Sequence, residues 1–385
     1  MSTEVATKAG LEDVIVGPSS ICYLDGDRGV LAYQGYDIHE LADAERGVTF
    51  EETCYLLWHG RLPRRAELGD LQTELASARV LPEPIMRAMK SLPKIDGMDA
   101  LRTLTSMLPH YEPFNHDGGD RSPRANYRKA VRLTGQLGAI VATWGRMAAG
   151  QGPIDPDPAL GHAGNFLYML TGQRPSPLAT RAFDVSLVLH ADHELNASTF
   201  AARVAAATLT DVHSAIVGAI GALKGPLHGG ANADVMRMLL EIGKDASPDR
   251  AEEVVRGKLA RKEKIAGFGH RVYHTEDPRA THLRRFSKML GELSGEPQWF
   301  ALSQRIEQVV KAEKKLNPNV DFYSASTFYS LGIPIDLYTP IFAVSRVSGW
   351  TAHVLEQYAN NRLIRPRTEY TGPAYPQYVV PLDQR

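Results

Sequence analysis

Apolar positions along this chain recur mostly with a helical period, broken at intervals by proline and glycine. The run Phe50-Glu-Glu-Thr-Cys-Tyr-Leu-Leu-Trp58 predicts a helix with Thr49 as N-cap and His59-Gly60 at its end. Residues 99–108 and 127–148 continue the pattern. Near the C-terminus Val347, Trp350, Val354 and Tyr358 fall at i, i+3, i+7 and i+11, which predicts one helix face. Residues 13–37 differ. DVIVG, ICYL and GVLAY are short β-branched or aromatic runs, with the turn signal Asp25-Gly26-Asp27 among them, and they predict one or two small hairpins. Strand signals nearly vanish after that, so the expected fold is all-α, helix packed on helix.

Residues 197–223 are dense in Ala, Ser, Thr and Gly, which lets helix backbones approach closely. A central helix pair and a subunit interface both fit that composition. Residues 246–264 and 287–315 are rich in Lys and Glu, as expected of a smaller, more exposed domain between about 229 and 326.

The 385 residues are 43% hydrophobic and 23% charged, which excludes wholesale disorder. Lys+Arg 43 against Asp+Glu 44 gives a net charge of −1, so no nucleic-acid partner is expected. Two cysteines, Cys22 and Cys54, cannot build a disulfide framework or a Cys-based zinc module. The first residues lack the basic head and apolar stretch of a signal peptide. No run approaches the ~20 apolar residues that span a bilayer. A soluble, cytoplasmic protein with no membrane association is expected.

Phosphate-loop, dinucleotide, nucleophile-elbow and H-E-x-x-H signatures are all missing. His190 and His193 stand at i, i+3, which could place two imidazoles on one helix face, but no third ligand is near, so no metal is expected. What stands out is polar residues in Gly- or Pro-marked turns: His228 in KGPLHGGAN, His270 in KIAGFGHRVY and Asp321 in NPNVDFYSAS. Each has a plainer role open to it. His228 could bond a turn carbonyl, His270 could be a core imidazole, and Asp321 could N-cap a helix beginning at Phe322. Together they supply a base and two imidazoles, enough for proton abstraction beside a carbonyl. Arg346 lies mid-way along an apolar helix and needs an anionic partner there. Arg279 in DPRA and Arg365 in LIRPRTEY could join it on a small dicarboxylate, or form ordinary surface ion pairs.

GPLHGGAN, GFGHRVY followed by DPRA, NVDFYSA, VSRVSG and IRPRTEY, together with GYDIHELA and MDALRTLTSML nearer the start, resemble the citrate synthase family in identity and order. The resemblance implies an all-α two-domain fold with a short N-terminal β-hairpin region. Residues 1–228 and 327–385 would form a large dimerising domain, and 229–326 a small mobile one. It implies condensation of acetyl-CoA with oxaloacetate and thioester hydrolysis to citrate and CoA, the entry step of the tricarboxylic acid cycle. Asp321 resembles the base, His228 the imidazole on the thioester oxygen, and His270 the residue that polarises the ketone. His193, Arg279 and Arg346 resemble the oxaloacetate ligands, with Arg365 supplied in trans within a homodimer. Backbone of Ile265, Ala266, Gly267 and Phe268 would meet the CoA adenine, with Arg271 and Lys314 on its phosphates. His274 departs from the pattern, since many relatives carry Lys or Arg there. No metal or other cofactor is implied; acetyl-CoA is a substrate. The alternatives are a 2-methylcitrate synthase using propionyl-CoA and, from other classes, a metal-dependent hydrolase or a non-catalytic dicarboxylate-binding protein.

Overall fold

In the computed structural model, which describes residues 9–11, 14–94, 96–111 and 120–385, the helix expected near the C-terminus runs Tyr338–Ala359. The i, i+3, i+7 face is buried as expected, but so is nearly every other position from Tyr338 to Val354. A helix buried on all sides belongs at the centre of a fold, not at its surface. Pro123–Ala148, Ala197–Ala207, Val212–Leu223, Phe50–His59 and Pro177–His190 pack around it. Phe50–His59 begins at a Thr49–Glu52 capping box and ends at Gly60 in the left-handed region. The expected 99–108 helix starts slightly earlier, as Gly97–Met107 capped by Asp96.

The small sheet is antiparallel, in the order β1 (Cys22–Asp25), β2 (Val30–Tyr33) and β3 (Tyr36–Asp37). DVIVG forms no strand within its described residues: Val14, Ile15 and Val16 are exposed and pair with no strand among the described residues, so β-propensity alone does not make them one. Through Tyr33, β2 also reaches the helical core. The buried Tyr33 hydroxyl meets the carbonyls of Val188 and Asp192 at 3.1 and 3.0 Å and accepts the Asp192 N–H at 3.3 Å, tying the sheet to the turn that carries His193.

Residues 197–223 fold into two helices that pack on each other, and their outer side leaves Ser214, Gly218 and Gly221 exposed. Ala231–Ile242, Pro248–Ala260, Pro278–Ser294, Gln298–Lys314 and Val320–Ser330 pack chiefly among themselves. They meet the rest of the chain mainly where Pro278–Ser294 lies on Pro177–His190 and Ile38–Leu41. One continuous apolar core runs through both sets. Beyond Ala359 the tail is exposed almost throughout. In the polar 109–125 segment, on which no functional expectation rests, residues 112–119 lie outside the described residues. No helix among the described residues is long and apolar enough to cross a membrane.

Candidate active site

Two loops are stitched together to carry His270 and Asp321. Gly267 and Gly269 take φ values of 80° and 77°, which a side chain rarely tolerates, and so turn the chain back on itself. The Gly269 N–H then donates to the Asn317 carbonyl at 3.0 Å, and the Asn319 N–H to Gly267 at 2.9 Å. Phe268 bridges Pro318, and Asn319 Nδ2 reaches the Gly269 carbonyl at 2.8 Å. Asn319 is also the N-cap of Val320–Ser330, accepting the Asp321 N–H at 3.0 Å. The capping role open to Asp321 is therefore corrected. Its carboxylate makes no hydrogen bond among the described residues. Burial pushes the Asp321 carboxyl up to about 6, Arg279 and Arg346 pull it down, and Asp277 adds to the rise.

Backbone donors set the proton on each imidazole. His270 Nδ1 accepts the N–H groups of Val272 and Tyr273 at 3.0 and 3.2 Å, so its proton sits on Nε2. His228 Nε2 accepts the Ser198 N–H at 3.3 Å and lies 2.8 Å from Ser198 Oγ, so its proton sits on Nδ1. Ser198 is in turn held by Asn196 Oδ1 and Trp350 Nε1, at 2.8 and 3.1 Å. Burial, helped by Arg346 for His228 and by Arg279 for His270, brings both imidazoles down to about 4. At neutral pH each is an uncharged donor with one N–H left to offer. His270 is only half-buried, unlike a plain core imidazole, whereas His228 does have its own turn carbonyl within reach.

Arg279 is buried, and its Nε and Nη2 fork onto the Asp277 carboxylate at 2.9 and 2.8 Å, which also accepts the Val320 N–H. A surface ion pair is thereby excluded for it. Arg346 is as deeply buried, with Nε on the His190 carbonyl at 2.6 Å and its guanidinium 4.7 Å from the Phe342 ring centre. Its Nη2 is buried with no partner. Burial drags this guanidinium down to about 10, against the opposing charge of Asp192. His193 is buried with Nε2 3.2 Å from the Tyr273 hydroxyl and its ring 5.2 Å from that of His270. Burial, Arg279 and His270 keep it well below the usual histidine range. His190 ends its helix while His193 lies past the cap, so the expectation of two imidazoles on one helix face fails. Among the described residues no group of three or more His, Cys, Asp or Glu is placed to hold a metal ion.

The remaining expected residues are less concentrated. Ile265 is buried, Ala266 and Phe268 are half-buried, and Phe268 packs on Phe322 at 4.5 Å between ring centres. Arg271 and Lys314 are exposed. His274 Nδ1 contacts Asp27 Oδ1 of the β1–β2 turn at 2.7 Å. Arg365 stands exposed in the tail and is not brought to the site within one chain. The sequence reasoning missed Ser198, Tyr273, Asp277 and Asn319, each acting through a functional neighbour. Asp277-Pro278 before Arg279 did carry a signal, since Asp then Pro marks a helix start.

An unengaged buried carboxylate, two neutral imidazole donors and an open buried guanidinium have the chemistry to make a carbanion-like carbon and stabilise oxyanions around it. The chain belongs to the citrate synthase family. Residues 10–367 match that family's sequence model, described as "Citrate synthase, C-terminal domain". The chain is 52% identical to citrate synthase 2 of Bacillus subtilis over 378 residues, covering 98% of each chain. It is 44% identical to the citrate/2-methylcitrate synthase of the same organism, covering 95% of this chain and 96% of that one. Its fold is similar to a citrate synthase from the archaeon Thermoplasma acidophilum, solved as a ternary complex with carboxymethyl coenzyme A and oxaloacetate. That likeness has a TM-score of 0.88 at 32% identity and covers 98% of both chains.

Proposed function

We propose that this site condenses acetyl-CoA with oxaloacetate and hydrolyses the product to citrate and CoA. The observation that carries the reading is Arg346: a fully buried cation with an unpartnered Nη2, near a carboxylate base and two neutral imidazole donors. Oxaloacetate brings the missing anion, its carboxylates taken by Arg346, Arg279 and His193. The Asp321 carboxylate removes a proton from the acetyl methyl group while His228 Nδ1–H donates to the thioester oxygen. The enol carbon attacks the oxaloacetate ketone, and His270 Nε2–H donates to the oxygen that gains charge. Water then cleaves the citryl thioester, releasing the CoA thiol. A weakly acidic carbon needs both the base and the oxyanion donor, in a site closed to water.

The Ile265–Phe268 backbone is assigned to the adenine, and the exposed Arg271 and Lys314 to the CoA phosphates. His274, engaged by Asp27, is left out of that set. A homodimer is supported by the exposed small-residue side of the 197–223 helices and by the extended tail, with Arg365 reaching a carboxylate in the other subunit. Residues 229–326 would move against 1–228 and 327–385 to close the site. That activity would stand at the entry of the tricarboxylic acid cycle, in the cytoplasm.

Free-thiol release with oxaloacetate and either acyl-CoA tests this reading. Thiol release from acetyl-CoA that requires oxaloacetate is expected. Faster release from propionyl-CoA would make it a 2-methylcitrate synthase, a choice kept open by the 44% identical relative. Oxaloacetate binding without thiol release would leave only a dicarboxylate-binding protein. Activity that falls with a chelator and returns with a divalent metal would favour the hydrolase.

A further inference from the structure

Arg346, Gly349 and His353 stand at i, i+3 and i+7 on Tyr338–Ala359 and so form one stripe. The Asp192 carboxylate lies against the middle of it. Gly349 makes the room, because a Cβ there would sit 2.3 Å from Asp192 Oδ1. The Gly349 N–H fixes the turn by donating to the Ala191 carbonyl at 3.1 Å. Asp192, Arg346 and His353 are 0%, 1% and 0% exposed. Two opposite buried charges so placed would gain by pairing directly. They form no ion pair. Among the described residues Arg346 Nη2 is instead buried without a hydrogen-bond partner, and Asp192 Oδ1 lies 3.3 Å from His353 Nε2.

The carboxylate is restrained from elsewhere. Asp192 Oδ2 accepts the Glu194 N–H at 3.0 Å and faces His353 Nε2 at 3.4 Å, and the Cys22 thiol also faces the carboxylate. His353 has Nε2–H to give because its Nδ1 accepts from Arg203 Nη1 at 3.0 Å. Arg203 is anchored in turn by Glu356 Oε2 at 2.5 Å and Gln357 Oε1 at 3.1 Å.

We propose that His353 is a positioning residue that holds the buried Asp192 carboxylate beside Arg346 without letting the two pair, so the guanidinium stays open to a substrate carboxylate. Asp192 compensates the Arg346 charge at a distance, and Nη2 of Arg346 remains free. Without the His353 donor, the carboxylate swings onto Arg346 and becomes an internal competitor of the substrate. The inference rests on the reading of this pocket as a dicarboxylate site.

Calorimetric titration of the intact protein with oxaloacetate tests it without needing turnover. His353→Leu should bind about tenfold more weakly at unchanged stoichiometry, since one charged contact is then contested. His353→Gln can donate to Asp192 and accept from Arg203, and should stay within about twofold of wild type. Adding Asp192→Asn to His353→Leu removes the competing anion and should restore affinity. A double variant as weak as the single one would reduce His353 to a structural part and overturn the proposal. So would undiminished binding by His353→Leu. If His353→Leu does not fold, Asp192→Asn alone decides: binding at least as tight as wild type supports the proposal, and a tenfold loss overturns it. Absence of oxaloacetate binding by wild type would overturn the reading of the site together with this inference. Wild-type binding with a failed variant series would overturn the inference alone.

Discussion

In the proposed reaction Asp321 and the two imidazoles divide one task. The carboxylate is buried, unengaged and raised to about 6, while His228 and His270 are lowered to about 4, so at pH 7 the base is ionised and both donors are neutral. Below about 6 Asp321 takes up a proton, and kcat/KM is expected to fall on the acid side with a midpoint near that value. A rate profile flat down to pH 5 would contradict this. Asp321→Asn should lower kcat by at least about a hundredfold while leaving oxaloacetate affinity within about threefold, because the amide keeps the shape but cannot accept the proton. His228, His270, Asp321 and Arg346 were legible in the sequence because glycine, proline or an apolar helix surrounds each with an unusual context. Ser198 and Tyr273 were not. Their effect lies in where their polar atoms end up, such as the Tyr273 N–H on His270, which no spacing rule reveals.

At the scale of elements, the site depends on the 265–270 and 317–321 loops lying backbone against backbone. Gly267 is the tightest point of that contact. A Cβ there would sit 2.8 Å from Val235 Cγ2 and 2.9 Å from Phe322, on a backbone with φ of +80°. Gly267→Ala is therefore expected to cost about 1–3 kcal/mol in denaturant unfolding and to lower kcat, by shifting His270 relative to Asp321. Unchanged stability and activity would show that the stitching tolerates more than the geometry allows. The helices were largely legible because their caps are local: Thr49 with Glu52, and Gly60 at the far end. DVIVG misled because a strand needs a partner. The central position of Tyr338–Ala359 escaped the periodicity count because a half-buried helix and one buried on all sides can share the same apolar i, i+3, i+7 positions.

Over the whole molecule, the residues proposed for oxaloacetate come from both helix sets: His193 and Arg346 from one, Arg279 from the other, with His270 and Asp321 on the latter. A ligand that bridges them favours the closed population, so small-angle scattering should show compaction on adding oxaloacetate. Identical profiles would count against closure. The tail calls for a test between chains. Arg365→Ala and Asp321→Asn homodimers should each be nearly inactive, while mixed dimers place both changes on one site, spare the other and regain about half of wild-type activity. Heterodimers that form yet recover nothing would put Arg365 in its own chain. The central claim is that a bound dicarboxylate readies Asp321 to take a proton from the thioester methyl group. Malate offers the carboxylates without the ketone, so the enol it allows to form cannot be consumed. With malate and acetyl-CoA in deuterated water, wild type should exchange the methyl protons, as read by nuclear magnetic resonance, and Asp321→Asn should not; equal exchange in both would contradict the account.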